Sequence, residues 1–159
     1  MRHYVYDFRE LNVYKEARKL SLNIFNISKS FPKAETYSLT DQVRRSSRSI
    51  GANIAEAWAK RTYEKHFISK LTDGDAEQQE TQHWIETALD CEYISQQQAN
   101  QLLGQCRSIG RMLGSMISKS SQFCRPKPIK EAGLIYYFDD SKSGVLNTDL
   151  PNTDLPITE

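Results

Sequence analysis

An all-α chain, folded as an antiparallel up-down-up-down four-helix bundle with a C-terminal tail, is what three observations predict. Apolar residues recur at alternating steps of 3 and 4 along separate stretches of the chain, the spacing that stacks them on one helix face. Prolines and capping-type residues fall between these stretches rather than inside them. At 159 residues the chain is long enough to bury one sizeable core and short for two domains.

The first helix is expected from about Leu11 to Ser30. Its seam of Val13, Ala17, Leu20, Ile24, Ile27 and Phe31 alternates by 4 and 3 throughout, as helices packed at a shallow angle require. Pro32 stops it, lacking an N–H and biasing its predecessor out of the helix. The second helix is LTDQVRRSSRSIGANIAEAWAKR, Leu39 to Arg61, with the hydroxyls of Ser38 to Thr40 as candidate caps. Leu39, Val43, Ile50, Ile54 and Ala57 share its core face. A small-residue surface of Arg44, Arg48, Ala52, Ala55 and Ala59 lies roughly opposite, and a polar stripe of Gln42, Ser49, Asn53, Glu56 and Lys60 runs between.

A third helix is predicted from a Thr62 cap to about Glu92, with Phe67, Ile68, Leu71, Gln78, Ile85 and Leu89 inward and Asp73, Glu77, Glu80 and Trp84 on the opposite side. Eight acids against Lys65 and Lys70 make it strongly acidic between Tyr63 and Glu92. Ser95 with Gln98 forms a capping-box pattern for a fourth helix, whose seam is Ala99, Leu102, Cys106, Ile109, Leu113 and Met116. Gly104, Gly110 and Gly114 each cost about 1 kcal/mol relative to alanine in a helix, which points to a neighbouring helix coming close. No acid occurs from Tyr93 to Arg125. Residues 1–125 are therefore assigned to the bundle. Residues 126–159 carry three lysines against six acids and an NTDLP pentad repeated at Asn147 and Asn152. Such a tail buries too little apolar area to offset ordering entropy and is expected to be mostly disordered. Within it, LIYYF (Leu134 to Phe138) is apolar enough to dock on the bundle or on a partner.

Bundles of this kind invite a di-iron reading, which needs two Glu-x-x-His pairs and a Glu from each other helix. Glu80-Thr-Gln-His83 is one pair, no second exists, and the fourth helix has no carboxylate. DGDAEQQETQHW begins like a calcium loop but has Gln78 where glycine is required and Trp84 where a bidentate Glu belongs. His3, His66 and His83 have no nucleophile-activating partner, and Ser46, Ser47 and Ser49 form no nucleophile elbow. No metal, cofactor or catalytic residue is therefore assigned, and an enzyme is not expected. Cys91, Cys106 and Cys124, odd in number and without metal-ligand spacing, read as free thiols of a reducing cytoplasm. No apolar run approaches the roughly 18 residues of a membrane span, and MRHYVYDFRE lacks a signal peptide's apolar region. The expectation is a cytoplasmic protein without a membrane role.

Charge geometry is the informative feature. Arg44, Arg45, Arg48, Lys60 and Arg61 on the second helix and Arg107 and Arg111 on the fourth are candidate nucleic-acid contacts, since clustered cations attract phosphate. The arginine–alanine surface (Arg44, Arg48, Ala52, Ala55, Ala59) and the acid–tryptophan surface (Asp73, Glu77, Glu80, Trp84) are unlike enough for a head-to-tail contact between copies, which closes into a ring when the rotation permits. The polar stripe of Gln42, Ser49, Asn53 and Glu56 has two readings, register-fixing hydrogen bonds or a binding face.

These residues carry a resemblance. FRELNVYKEA, FPKAE, LTDQVRRSSRSIGANIAEA and IGRMLGSMISK, spanning about Phe8 to Lys119, resemble a bacterial four-helix-bundle family first noticed as proteins encoded in intervening sequences of large-subunit ribosomal RNA and once labelled ribosomal proteins. The resemblance implies an up-down-up-down bundle, commonly a homopentamer, without established catalytic activity. Its signature positions are Gln42, Arg45, Ser49, Asn53, Ile54 and Glu56. IGRMLGSMI is also similar to the accessory variability protein of diversity-generating retroelements, which implies structured RNA or a reverse transcriptase-type ribonucleoprotein as partner. Two departures stand out: Ala57 replaces a usual glycine, and Asp75, Gln78 and Gln79 differ from the pattern G-S-x-x-E-L-x-T. The functional expectation is a non-enzymatic homo-oligomer binding RNA through pooled basic helices. The alternative is a protein-only scaffold recruiting a partner through its tail.

Overall fold

A computed structural model describes residues 5–124, 129–131 and 134–136. Four helices account for most of them: α1 (Asn12–Ile27), α2 (Asp41–Ala59), α3 (Glu64–Asp90) and α4 (Gln96–Ser118). Each packs on its two neighbours around a square, while the diagonals α1–α3 and α2–α4 stay apart. Residue pairs fix the directions. Ser28 meets Arg44 while Tyr14 lies against Gly51, so α1 and α2 run oppositely. Ser46 pairs with Thr81 while Asn53 meets Lys70, and Glu64 meets Ser120 while Gln78 lies beside Gly110. The bundle is antiparallel throughout, as short connections between long neighbouring helices demand.

The seams are buried largely as their spacing predicts: Val13, Ala17, Leu20 and Ile24 from α1, with Ile27 and Phe31 only partly buried, and Ala99, Leu102, Cys106, Ile109, Leu113 and Met116 from α4. Each fully buried Leu, Ile or Phe contributes about 1.5–3 kcal/mol. In α3 the inner row is longer than the apolar pattern suggests. Phe67, Leu71, Gly74, Gln78, Thr81, Ile85 and Ala88 are all buried, an unbroken 4-3 alternation that includes a glycine and two polar residues. In the dry interior the Cys106 thiol is pushed up to about 12 by burial.

Entry into α2 differs from expectation. The Ser38 to Thr40 hydroxyls do not cap it. A π-helical turn, Thr36–Thr40, runs directly into α2, and the cap is taken a turn earlier by Glu35, whose carboxylate accepts from the Leu39 N–H at 3.4 Å. Ser38 Oγ also donates to that carboxylate, and Tyr93 Oη donates from the far side at 3.1 Å. These hydrogen bonds, Ser38 first and Tyr93 next, hold Glu35 below the ordinary carboxylate range. Thr62 likewise does not cap α3. Tyr63 occupies the N-cap without a side-chain capping bond, the exit from α2 being held by backbone bonds such as Tyr63 N to Lys60 O at 2.9 Å. The Ser95–Gln98 capping box of α4 forms as the pattern predicts, with both reciprocal bonds present. An unanticipated capping box, Asp7 with Glu10, starts a short 3-10 turn ahead of α1.

The three glycines of α4 are not alike. A Cβ on Gly110 would sit 2.9 Å from Nε2 of buried Gln78, which donates to Asp75 at 3.1 Å and accepts from Gln82 at 2.7 Å. Here the small residue does let α3 come close. Gly104 and Gly114 face open space, so close approach does not explain them within one chain.

The chain divides into two compact units, residues 1–127 and 128–159. In the second, β1 (Ile129–Glu131) pairs antiparallel with β2 (Leu134–Tyr136), Ile129 opposite Tyr136. The sequence pattern offered no such element. Tyr137, Phe138 and the NTDLP repeat lie outside the described residues. No described helix is long and apolar enough to cross a membrane.

Two outcomes are expected. Gly114→Ala raises stability by about 0.5–1 kcal/mol through helix propensity, and Gly110→Ala falls at least about 1 kcal/mol short of it by displacing Gln78; urea midpoints measure both. Because Glu35 has a lowered folded-state pKa, its contribution is fully present above the unfolded value near 4.5 and is lost as pH falls through the lower folded value. Glu35→Gln should therefore flatten the acid limb of the stability profile, and an unchanged limb would contradict this.

Candidate nucleic-acid interface

Beside its buried seam, α1 with the 3-10 turn Ser28–Ser30 that follows it carries a second row at helical spacing: Tyr14, Arg18, Leu22, Phe25 and Lys29, with Ser21 adjoining. This row lies along the flank facing α2. Three cations gather around one half-buried ring. Lys29 Nζ stands 4.7 Å, Arg44 Cζ 5.0 Å and Arg48 Cζ 5.9 Å from the Phe25 centroid. Arg44 is pinned by donating Nε–H to Ser28 Oγ at 2.7 Å, and Lys29 by donating to Asn26 Oδ1 at 3.0 Å. Arg18 donates to Tyr14 Oη at 3.5 Å. Among the described residues Arg48 makes no hydrogen bond or ion pair.

Arg18, Lys19, Ser21, Leu22, Phe25 and Arg48 line a shallow groove of about 440 Å³ between the two helices. Its floor is apolar, with Leu22 58% exposed, its rim is cationic, and its lining holds no carboxylate. A cation over a ring contributes about 0.5–1 kcal/mol at an exposed site, but three like charges around one ring also repel. The arrangement therefore concentrates positive potential where an anion would relieve it.

The remaining sequence-predicted cations do not join this patch. Arg45 is exposed on the α3 side and donates to Gln42 at 3.3 Å. Lys60 and Arg61 sit about 24 Å along the helix from Arg44. There Arg61 covers Trp58 at 4.2 Å and donates to its carbonyl at 2.6 Å. Arg107 and Arg111 are exposed on α4, the diagonal corner from α2. One chain thus presents separate basic surfaces.

The acid–tryptophan surface needs a geometric correction. Asp73, Glu77, Glu80 and Trp84 do not project opposite the core. At 100° per residue they fall on the flank of α3 beside α2, where Lys70 bridges Asp73 at 3.2 Å and Glu56 at 3.0 Å. Trp84 is half-buried against the core, with its indole N–H donating to Glu80 at 3.1 Å. Burial, then Glu80 and Asp73, raise the pKa of Glu77, while Arg45 opposes the shift. On α2, Ala52 and Ala59 are exposed and Ala55 half-buried, leaving a smooth unpartnered track.

Of the polar stripe, Asn53 and Glu56 bond across to α3, while the bonds of Gln42 and Ser49 stay within α2. Asn53 donates to the Ser49 carbonyl at 3.1 Å and accepts from Lys70 at 3.5 Å, and Glu56 pairs with the same lysine. It is a half-exposed polar seam between α2 and α3, whose surface pairs contribute about 0–1 kcal/mol each. Leu22, Phe25, Arg18, Lys19 and Lys29 were not singled out from sequence. The signal was present as the i, i+4, i+7, i+11 row from Arg18 to Lys29, but the arginines that give the row meaning come from the next helix.

Comparison with known proteins agrees with the bundle geometry. The family model described as 23S rRNA-intervening sequence protein matches residues 9–115, which contain the whole groove. A crystal structure of a protein of unknown function from the S23 ribosomal protein family of Bacteroides thetaiotaomicron VPI-5482 matches with a TM-score of 0.61 at 30% identity, covering 67% of this chain and 95% of that one. No curated protein matches. With two-thirds of its length matched by the family model, the chain belongs to the 23S rRNA-intervening sequence protein family.

Proposed function

We propose that this protein is a non-enzymatic, homo-oligomeric RNA-binding bundle, a pentameric ring, that holds structured RNA or a ribonucleoprotein through basic helix surfaces. The observation that carries the RNA reading is the gathering of Arg18, Lys19, Lys29, Arg44 and Arg48 about the α1–α2 groove without a lining carboxylate. The family description, which ties its members to sequences within 23S rRNA, supports the same ligand. Phosphate contacts position such a complex, and the bundle surface selects for RNA shape.

Oligomerisation supplies what a single chain lacks. Arg107 and Arg111 stand on the helix diagonal to α2, so only neighbouring copies bring α2 and α4 surfaces side by side. The smooth Ala52–Ala55–Ala59 track suits close approach of another helix, and the Asp73–Glu77–Glu80–Trp84 flank offers it the opposite charge with an aromatic edge. The half-buried indole supplies its edge rather than a whole anchoring ring.

If Arg18, Lys19 and Arg44 each contact phosphate, affinity for single-stranded RNA falls about 20-fold between about 50 and about 200 mM salt, from a slope near −0.7 per contact. The variant Arg44→Gln flattens that slope by about 0.7. A salt-independent affinity, or none at low salt, contradicts the RNA reading. For assembly, Ala52→Glu adds bulk and a like charge to the α2 track at an exposed site. It should lower the subunit number by light scattering without changing helix content, and an unchanged number contradicts the proposed interface.

A further inference from the structure

We infer that the α1–α2 groove is a pocket for one unpaired base of the bound RNA, seated on Leu22 and the edge of Phe25 with its flanking phosphates on Arg18, Lys19 and Arg44. This rests on the RNA-binding reading and adds to it a ligand class, unpaired nucleotides rather than duplex. Charge alone does not require an apolar floor. A duplex presents phosphates along a ridge and keeps its bases stacked inside, so it leaves Leu22, 58% exposed, uncovered. An unpaired nucleotide is planar and apolar on its faces and anionic at its ends, which is the pattern of this groove turned inside out.

The side chains are held as such a ligand needs. Arg44 is fixed by Ser28 at 2.7 Å, Arg18 leans on Tyr14 Oη at 3.5 Å, and Lys29 is tied to Asn26 at 3.0 Å. Fewer rotamers then remain to be ordered on binding. Arg48 stands apart, the farthest of the three cations from the ring at 5.9 Å. It lines the groove from α2 while Leu22 lines it from α1, and its guanidinium plane can stack on a base that enters there. The lining offers no buried carboxylate to read a base edge, so the pocket accepts a base by its face and discriminates little among the four.

The test uses the full chain and two probes: an unstructured RNA of about twelve nucleotides carrying 2-aminopurine, and a fully paired RNA duplex of equal length. Leu22→Ser changes an exposed side chain and leaves the core untouched; Phe25→Leu keeps apolar bulk and removes the ring. Each is expected to weaken single-strand binding roughly 5- to 100-fold, the range of one base–aromatic stack. Duplex affinity and the salt slope should stay unchanged, and the 2-aminopurine quenching seen with the native protein should disappear. If neither variant moves single-strand affinity, or both probes weaken equally, the base pocket is wrong while RNA binding stands. If neither RNA binds at low salt, the RNA reading itself fails. If Leu22→Ser lowers the subunit number instead, the groove holds a second copy of the chain and the inference is overturned.

Discussion

The close approach of α3 to α2 is the constraint on which the rest of this molecule depends. At its centre a Cβ on Gly74 would meet Asn53 Cβ at 3.5 Å and the Ile50 carbonyl oxygen at 3.7 Å, ordinary contact across the α2–α3 seam. About two turns along α3 the buried hydroxyls of Ser46 and Thr81 meet at 3.0 Å, with Thr81 also 2.8 Å from the Glu77 carbonyl. At the other side Lys70 spans Asn53, Glu56 and Asp73, which raises its pKa, Glu56 foremost. A hydroxyl pair in a dry core is costly to leave unmade, so it specifies one register where purely apolar seams would allow neighbours to slide.

With one flank of α2 locked against α3, its other flank has a fixed orientation toward α1. That is why Arg44 and Arg48 stand beside Phe25, and why the cations of two helices converge on one groove. The same lock turns the acids of α3 toward α2, where Lys70 and Arg45 answer part of their charge. Asp73, Glu77 and Glu80 still outnumber those partners, and burial with mutual repulsion keeps Glu77 above its ordinary range. The chain thus separates its charges by helix edge, positive between α1 and α2, negative along α2–α3. Formal net charge, only +1, hides this division.

The seams of α1 and α4 were legible in sequence because every buried position there is apolar or cysteine, so periodicity alone traced them. The inner row of α3 was only partly legible. Spacing places Gln78 inward, and it is buried, whereas no hydropathy pattern marks Gly74 or Thr81, which the α2–α3 contact and the Ser46 hydrogen bond account for. Caps were legible where they are local and reciprocal, as at Ser95 and Gln98. They were not where a distant residue intervenes, as when Tyr93 joins Ser38 on Glu35. The α2 arginines were found from sequence, but the groove was not. Phe25 gains meaning only when the next helix delivers two guanidinium groups to it, and the distance between α2 and α4 is likewise a property of the folded bundle.

The most direct measurement of the central claim is a methyl and amide NMR titration of the full chain with unstructured RNA, reading where resonances move. If the α1–α2 groove is the binding surface, the largest changes fall on Leu22, Phe25, Arg48 and their neighbours, with the Ser46–Thr81 seam unmoved. Changes confined to α3 and the outer surface of α4, with the Leu22 methyls still, would contradict the account.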